Sequence, residues 1–179
     1  MRKVDVKKGC SVRLILVIAV FSGFVACDFL PSQPQKVEFL DQSFSVTMPA
    51  SWSQRSDLND VADLQMGNPF KGAYTIIISE NKMDFDGISL EEHSDLTRSR
   101  IQQGLKNYHE SNLELLDIGD TPALRYQLKG SMDGLNIIYW HVTLETENHF
   151  HQMLLWSLNS KFSKNKTDFD SVIQSFEAI

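Results

Sequence analysis

Four alternating, largely apolar runs in the second half of the chain constrain its fold more than any other feature. They cover residues 110–118, 124–129, 135–145 and 150–158. Short segments rich in turn-forming residues separate them, at 119–122, 130–134 and 147–148. Strand-like runs joined by such turns are typical of antiparallel neighbours in one sheet. We therefore predict four consecutive strands that form an antiparallel meander.

The first half of the chain predicts further strands. Residues 36–40 and 44–48 alternate in polarity on either side of Asp41-Gln42, which is the pattern of a hairpin. A weaker strand is predicted over 62–66. Residues 74–79 (YTIIIS) are apolar and rich in β-branched side chains, as in a buried strand.

Two helices are predicted around these strands. Ser89 and Glu92 have the spacing of a capping box, so a helix should follow Ser89 and end near His109. Thr167 is a candidate cap for a last helix, whose apolar stripe is Phe169, Val172, Ile173 and Phe176. The order ββ(β)β-α-ββββ-α predicts an α+β fold, with a largely antiparallel sheet and helices packed on it.

The N-terminus has the composition of an export signal. A basic segment over residues 1–13 precedes an uncharged stretch from Leu14 to Cys27, 14 residues long. A bilayer-spanning helix needs about 20 residues, so a signal peptide over residues 1–26 is the better interpretation. An uncleaved anchor with an incidental cysteine is the alternative.

The residues before Cys27 predict that this signal is removed by lipoprotein processing. Cleavage after Ala26 by an ordinary signal peptidase would place the large Phe24 at the third position before the cut, where a small residue is needed. Phe24-Val25-Ala26-Cys27 instead resembles a lipobox, with Phe24 in place of the usual leucine. We predict a lipidated Cys27, with acyl chains as the membrane anchor. Asp28 resembles a signal for retention in the inner membrane, facing the periplasm.

A short tether would join this anchor to a single domain. Residues 27–35 contain the lipidated cysteine and two prolines, which favour extended structure. Eight residues reach at most about 26–29 Å, so the domain, predicted over residues 36–179, would stay close to the membrane.

The exported part of the chain is acidic. Five basic residues and one acid precede Cys27, which leaves 12 bases against 22 acids and a formal charge of about −10. This net charge argues against nucleic-acid partners and against peripheral binding to anionic lipid. The only other cysteine, Cys10, lies in the predicted signal peptide, so no disulfide is expected.

Three segments, taken in order, resemble the PsbP-like fold. Residues 44–52 (FSVTMPASW) resemble its opening strand and turn, and residues 119–126 (GDTPALRY) and 169–176 (FDSVIQSF) continue the pattern. Over residues 36–179 the chain is most similar to DcrB-type bacterial envelope lipoproteins. The resemblance implies a non-enzymatic, protein-binding module without metal or cofactor. Related bacterial adaptors for secreted effectors lack a signal peptide, although an adaptor or immunity role stays open.

Candidate metal sites are incomplete in the sequence. His149 and His151 share a strand face, and His141 is the obvious third ligand. A two-residue turn at 147–148 would pair His141 with Leu154 and place it on the opposite face. We therefore predict no metal, two polar residues near a hairpin tip, and no enzyme. A metal-dependent or hydrolytic envelope enzyme is the alternative.

A second fragment resembles part of a calcium loop. Residues 84–87 (DFDG) begin like an EF-hand, but its twelfth position is Asp95 rather than glutamate. A turn between strand and helix is the simpler interpretation. The sequence also lacks the nucleophile-elbow, P-loop and dinucleotide-binding motifs.

The tryptophans divide the sheet into two faces. By the same register, Trp140 faces the core and Trp156 faces the opposite side, with Tyr139, Phe150, Leu154 and Leu158. That second apolar face is predicted either to be covered by a helix or to bind a partner. Trp52 and the stripe that contains Phe176 are expected to serve the core.

Overall fold

The structure is a computed structural model that describes residues 33–179. The predicted signal peptide, Cys27 and Asp28 lie outside these residues. The strands are Gln35–Phe39 (β1), Phe44–Met48 (β2), Ser53–Gln54 (β3), Leu64–Asn68 (β4), Ala73–Asn81 (β5), Lys106–Glu110 (β6), Glu114–Ile118 (β7), Thr121–Met132 (β8), Leu135–Glu145 (β9), His149–Leu158 (β10) and Glu177–Ala178 (β11). The helices are Leu90–Gly104 (α1) and Asn159–Gln174 (α2), with a short 3-10 turn at Lys82–Asp84.

Two antiparallel sheets organise the domain. The large sheet has eight strands, with order β3-β4-β5-β10-β9-β8-β6 and β7 also paired to β8. The small sheet has the order β1-β2-β11. The predicted α+β fold class, with a largely antiparallel sheet and packed helices, is therefore confirmed.

The hairpin of β9 and β10 confirms the predicted register. Leu144 pairs with His151, and His141 pairs with Leu154. Because side chains alternate along a strand, this register fixes which residues face each helix. Trp140 lies on the α2 side, 5.4 Å from Phe162 between ring centroids, and is buried.

The beginning of α1 is as predicted, but its end is not. Ser89 Oγ accepts from the Glu92 amide at 3.2 Å, and Glu92 Oε2 accepts from the Ser89 amide at 2.8 Å. The helix ends at Gly104 rather than near His109, and residues 106–110 form β6. Glycine has low helix propensity, and the residues after it pair with β8 instead. The single strand predicted over 110–118 is consequently two strands, β6 and β7.

The last helix begins before its predicted start and ends at Gln174, so Phe176 of the predicted stripe lies just beyond it. It begins at Asn159, without a side-chain cap, so Thr167 lies inside it rather than at its start. Phe162 and Asn165 bury the first half of the helix against the sheet. This half also contains Asn159, Ser160, Ser163 and Asn165, whose low helix propensity weakens the helical signal in the sequence.

The main core lies between the large sheet, α2 and the small sheet. Phe169 and Trp52 pack edge to face at 6.0 Å, and both are buried. Phe176 closes this core beside Phe44, with ring centroids 5.7 Å apart. The predicted core roles of Trp52 and of the stripe ending at Phe176 are therefore confirmed. The opposite face of the large sheet carries α1.

Across residues 33–179, neither helix is long and apolar enough to cross a membrane.

Candidate functional site

The three histidines considered as candidate metal ligands lie on opposite sides of the large sheet, as the register predicts. His149 and His151 have ring centroids 5.9 Å apart and face the small sheet. His151 is fully buried, 4.5 Å from the Phe44 ring and 5.0 Å from the Phe176 ring. His141 is fully buried under α1 on the other face. Within the part of the chain that the structure describes, no group of three or more His, Cys, Asp or Glu residues could hold a metal ion.

Two of these imidazoles are held in the neutral form by their surroundings. Burial lowers the pKa of His141 to about 3, and the nearby Arg98 and His93 act in the same direction. Burial also lowers the pKa of His151 to about 3. Both rings therefore act as neutral, hydrogen-bonded packing groups at ordinary pH.

The fragment that resembles a calcium loop is a turn in the structure. Residues 82–84 form the 3-10 turn, whose first amides are capped by the Asn81 side chain at 2.9 Å from the Met83 nitrogen. Asp84 and Asp86 are exposed to solvent. The segment connects β5 to α1, as the simpler interpretation predicts.

A third buried histidine was missed in the sequence. His93 lies on the inner face of α1, stacked on Phe150 with ring centroids 4.5 Å apart. Its Nε2 lies 2.9 Å from Glu80 Oε2 on β5. The signal was present, since His93 follows Leu90 by three positions and so shares its helical face. Like His141, the His93 imidazole therefore connects α1 to the large sheet through packing and a hydrogen bond.

The face that carries Trp156 is only partly covered by α1. The helix shields His141 and Phe150 but ends at Gly104, short of the next part of the sheet. There the Trp156 ring packs between two tyrosines, 5.7 Å from Tyr74 and 5.8 Å from Tyr139. One part of this face is therefore covered by α1, and the part around Trp156 remains an open apolar surface.

An apolar groove runs between the end of α1 and these aromatic rings. Its volume is about 260 Å³. Its lining is mainly Leu58, Ile76, Ile101, Leu105, Leu154 and Trp156. Arg100 and Met132 lie at its rim. Such a surface can take apolar side chains. The Arg100 guanidinium is 57% exposed and makes one ion pair within residues 33–179, with Glu80 at 3.5 Å, so its other N–H groups can bind a second acidic group.

A neighbouring polar pocket is satisfied internally. The Arg98 guanidinium lies 3.7 Å from the Tyr126 ring centroid and forms ion pairs with Asp95 and Glu110. Tyr108 Oη donates to Glu110 Oε2 at 2.7 Å. Partial burial acts to raise the pKa of Glu110, but hydrogen bonds from Tyr108 and Arg98 hold it below its usual value. Because Arg98 and the two carboxylates are already paired with one another, the apolar groove is the better candidate site.

Solved structures of other proteins support the fold class of this chain. The solution structure of cyanobacterial PsbP (CyanoP) from Synechocystis sp. PCC 6803 matches with a TM-score of 0.62 and 12% identity, over 83% of this chain and 94% of that one. LpqN, involved in cell envelope biogenesis of Mycobacterium tuberculosis, matches with a TM-score of 0.59 and 12% identity, over 80% of this chain and 89% of that one. The Ran-binding protein Mog1p of Saccharomyces cerevisiae matches with a TM-score of 0.57 and 10% identity, over 82% of this chain and 96% of that one.

These similarities define a PsbP-like fold, as the resemblance in the sequence implies. No protein-family model matches the sequence, and no curated protein matches it.

Proposed function

We propose that the chain is a membrane-tethered lipoprotein of the cell envelope, similar to the DcrB type, and that its domain is a non-catalytic binding or assembly module. The lipobox at Cys27 supports the anchor, and Asp28 supports retention in the inner membrane, facing the periplasm. Two structural neighbours have names that point the same way, one linked to envelope biogenesis and one to protein binding. The three buried histidines are engaged in packing, which supports a non-catalytic role.

The groove beside Trp156 carries this proposal. Its volume of about 260 Å³ lies below the roughly 300–1,000 Å³ typical of small-molecule pockets. Its aromatic rings, aliphatic walls and single rim arginine are instead typical of protein interfaces. The groove would take an apolar segment of a partner protein, with an acidic residue of that segment beside Arg100.

Site-specific crosslinking in cells tests this groove. A photoreactive amino acid in place of Leu58 or Met132 should crosslink to one protein partner from membranes. Leu115 provides the control position, because its side chain is 73% exposed on β7, the edge away from the groove. A Leu58→Asp variant should lose the crosslink formed at Met132, whereas Leu115→Asp should keep it. Equal crosslinking at all three positions would contradict a specific groove.

A further inference from the structure

Several turns lie together at one end of the domain, beside the start of β1. Gln35 Nε2 donates to the Trp52 carbonyl at 2.7 Å. Asn68 Nδ2 in turn donates to the carbonyl of the preceding Ser51 at 3.0 Å. The turn between β4 and β5 therefore lies at the end of the domain where the chain arrives from Cys27.

This turn presents a fully exposed aromatic ring. Phe70 is 98% exposed. The backbone around it is held in place, since Asn68 Oδ1 accepts from the Lys71 amide at 3.0 Å and Asn165 Nδ2 of α2 donates to the Lys71 carbonyl at 3.3 Å. Gly72 completes the turn with φ of 63°, a conformation that favours glycine. These contacts hold the backbone of the turn, so the Phe70 ring projects into solvent at a fixed place on the surface.

A second turn adds apolar side chains at the same end. Ser157 pairs with both Ala73 and Ile138, so the turn between β8 and β9 lies beside the start of β5. Leu135, which follows that turn, is 53% exposed, and Met132 before it is 42% exposed where the groove beside Trp156 reaches this end.

Lysines surround these apolar residues. The exposed or half-exposed lysines at this end are Lys71, Lys106, Lys129, Lys161 and Lys164. Two acids offset part of this charge, namely Asp133 in the turn between β8 and β9 and Asp168, which pairs with Lys71 at 2.7 Å, so the lysines remain in excess. The opposite end, formed by the turns near residues 41, 84, 118 and 147, instead carries exposed Asp41, Asp84, Asp86, Asp117, Asp120, Glu145 and Glu147. The net charge of the domain therefore conceals a strong asymmetry from end to end.

One lysine of α2 is poorly placed for the helix itself. Lys161 lies in the first turn, which has no acidic residue, at the positive end of the helix dipole. A cation is unfavourable there, so the helix gains nothing from this lysine, whereas contact with an external anionic surface does gain from it. Lys164, one turn further on, is exposed on the same helix.

We infer that this basic end, with Phe70 at its tip, contacts the headgroup region of an anionic bilayer. The inference rests on the proposed anchor at Cys27, whose eight-residue tether reaches at most about 26–29 Å. Lysines are attracted to anionic lipid, and an aromatic ring inserts at the boundary between headgroups and acyl chains. The contact orients the acidic end and its turns away from the membrane.

Accessibility of a nitroxide label tests the contact in the lipidated full-length protein. After processing, Cys27 is blocked by lipid, so Phe70→Cys supplies a single site for the label. Met83→Cys is the matched control, because Met83 is 91% exposed and follows the other end of β5, a strand about 27 Å long. The protein is reconstituted in vesicles of phosphatidylcholine, with or without phosphatidylglycerol, and collision with a water-soluble relaxing agent is measured.

We expect the label at position 70 to be several-fold less accessible than the label at position 83 in the anionic vesicles. This protection should weaken in pure phosphatidylcholine and at high salt, which screens exposed charges. Lys129→Glu with Lys164→Glu should abolish it. Neither lysine forms an ion pair with another residue of 33–179 and both are exposed, so the fold should be retained.

Separate measurements test the lipid anchor at Cys27 and the membrane contact at Phe70. Intact mass and sedimentation with vesicles show whether Cys27 carries lipid, and loss of that lipid overturns the anchor. Equal accessibility at positions 70 and 83 in a lipidated, vesicle-bound protein overturns the contact alone. Protection at position 70 that appears only when a membrane-protein extract is added also overturns it, because the surface would then be a protein interface.

Discussion

The Thr97 hydroxyl and Nε2 of His141 lie 2.9 Å apart in the interface between α1 and the large sheet. Both side chains are buried. Thr97 Oγ1 also lies 3.1 Å from the His93 carbonyl, to which it can donate, so the imidazole N–H can donate to the hydroxyl oxygen. This arrangement suits a neutral ring. A protonated His141 would place a second positive charge close to Arg98, in a site closed to water.

Acid should therefore destabilise the domain through its buried histidines. The pKa of His141 and of His151 is lowered to about 3 from 6.5. Above pH 6.5 both rings are neutral in the folded and unfolded states. Between pH 6.5 and about 3 only the unfolded state takes up these protons, so the free energy of unfolding should fall by up to about 1.4 kcal/mol per pH unit for each ring. Denaturant titrations across this range measure the slope.

Replacing one buried histidine should flatten this dependence. His141→Gln keeps a hydrogen-bonding side chain but removes the titrating group. Between about pH 5 and 6.5, above the range in which carboxylates such as Glu110 titrate, its slope should be about half that of the parent protein if His141 and His151 contribute equally. His109→Gln, at an exposed position on β6, is the control and should leave the slope unchanged. A parental slope in the His141→Gln variant would show that the acid sensitivity arises elsewhere.

Phe176→Ala should strongly destabilise the fold. The ring is 6% exposed and packs 6.2 Å from Phe39 and 5.0 Å from His151, between centroids. Removing a buried phenylalanine leaves a cavity that costs about 3–5 kcal/mol. Chemical denaturation measures the loss, and Leu115→Ala, at an exposed position, should stay within about 0.5 kcal/mol of the parent. An unchanged midpoint in Phe176→Ala, with partner binding lost, would make this stripe an interface.

Two glycines beside the groove should respond oppositely to alanine. A Cβ at Gly67 would lie 2.6 Å from Cδ1 of Tyr74, whose ring supports Trp156. Gly67→Ala should therefore cost about 1–3 kcal/mol and alter the near-ultraviolet circular dichroism of the aromatic rings. A Cβ at Gly104 meets no atom within 4 Å, so Gly104→Ala should leave stability unchanged or raise it by up to about 1 kcal/mol. Equal effects of the two substitutions would contradict the close packing at Tyr74.

Local signals made much of the fold predictable. Ser89 and Glu92 are a reciprocal pair within one helical turn, and the two-residue turn before His149 fixes the register of its hairpin. The end of α1 was not predictable in this way. Leu105 and Tyr108 have a spacing that suits a helix, yet they pack on the same cluster from an extended segment. Pairing with β8, a long-range interaction, decides the outcome there.

The candidate surfaces were only partly predictable. Register alone places Trp156 on the face opposite the main core. The groove beside it depends on where α1 ends, which the sequence pattern does not determine. Phe70 has no periodic partner in the sequence. It comes close to the lysines of α2 only because the turn between β4 and β5 packs against that helix, with Asn165 bonded to the Lys71 carbonyl.

The remaining prediction concerns Cys27, which lies outside the residues that the structure describes. If Phe24-Val25-Ala26-Cys27 is a lipobox, the cysteine sulfur receives diacylglycerol before the signal peptide is removed. Cys27→Ser lacks this sulfur and should accumulate as an uncleaved, unlipidated precursor. Mass spectrometry of the membrane fraction distinguishes the two forms, and Cys10→Ser is the control that should be processed like the parent protein. A Cys27→Ser chain that is cleaved normally and released from the membrane would rule out the lipid anchor.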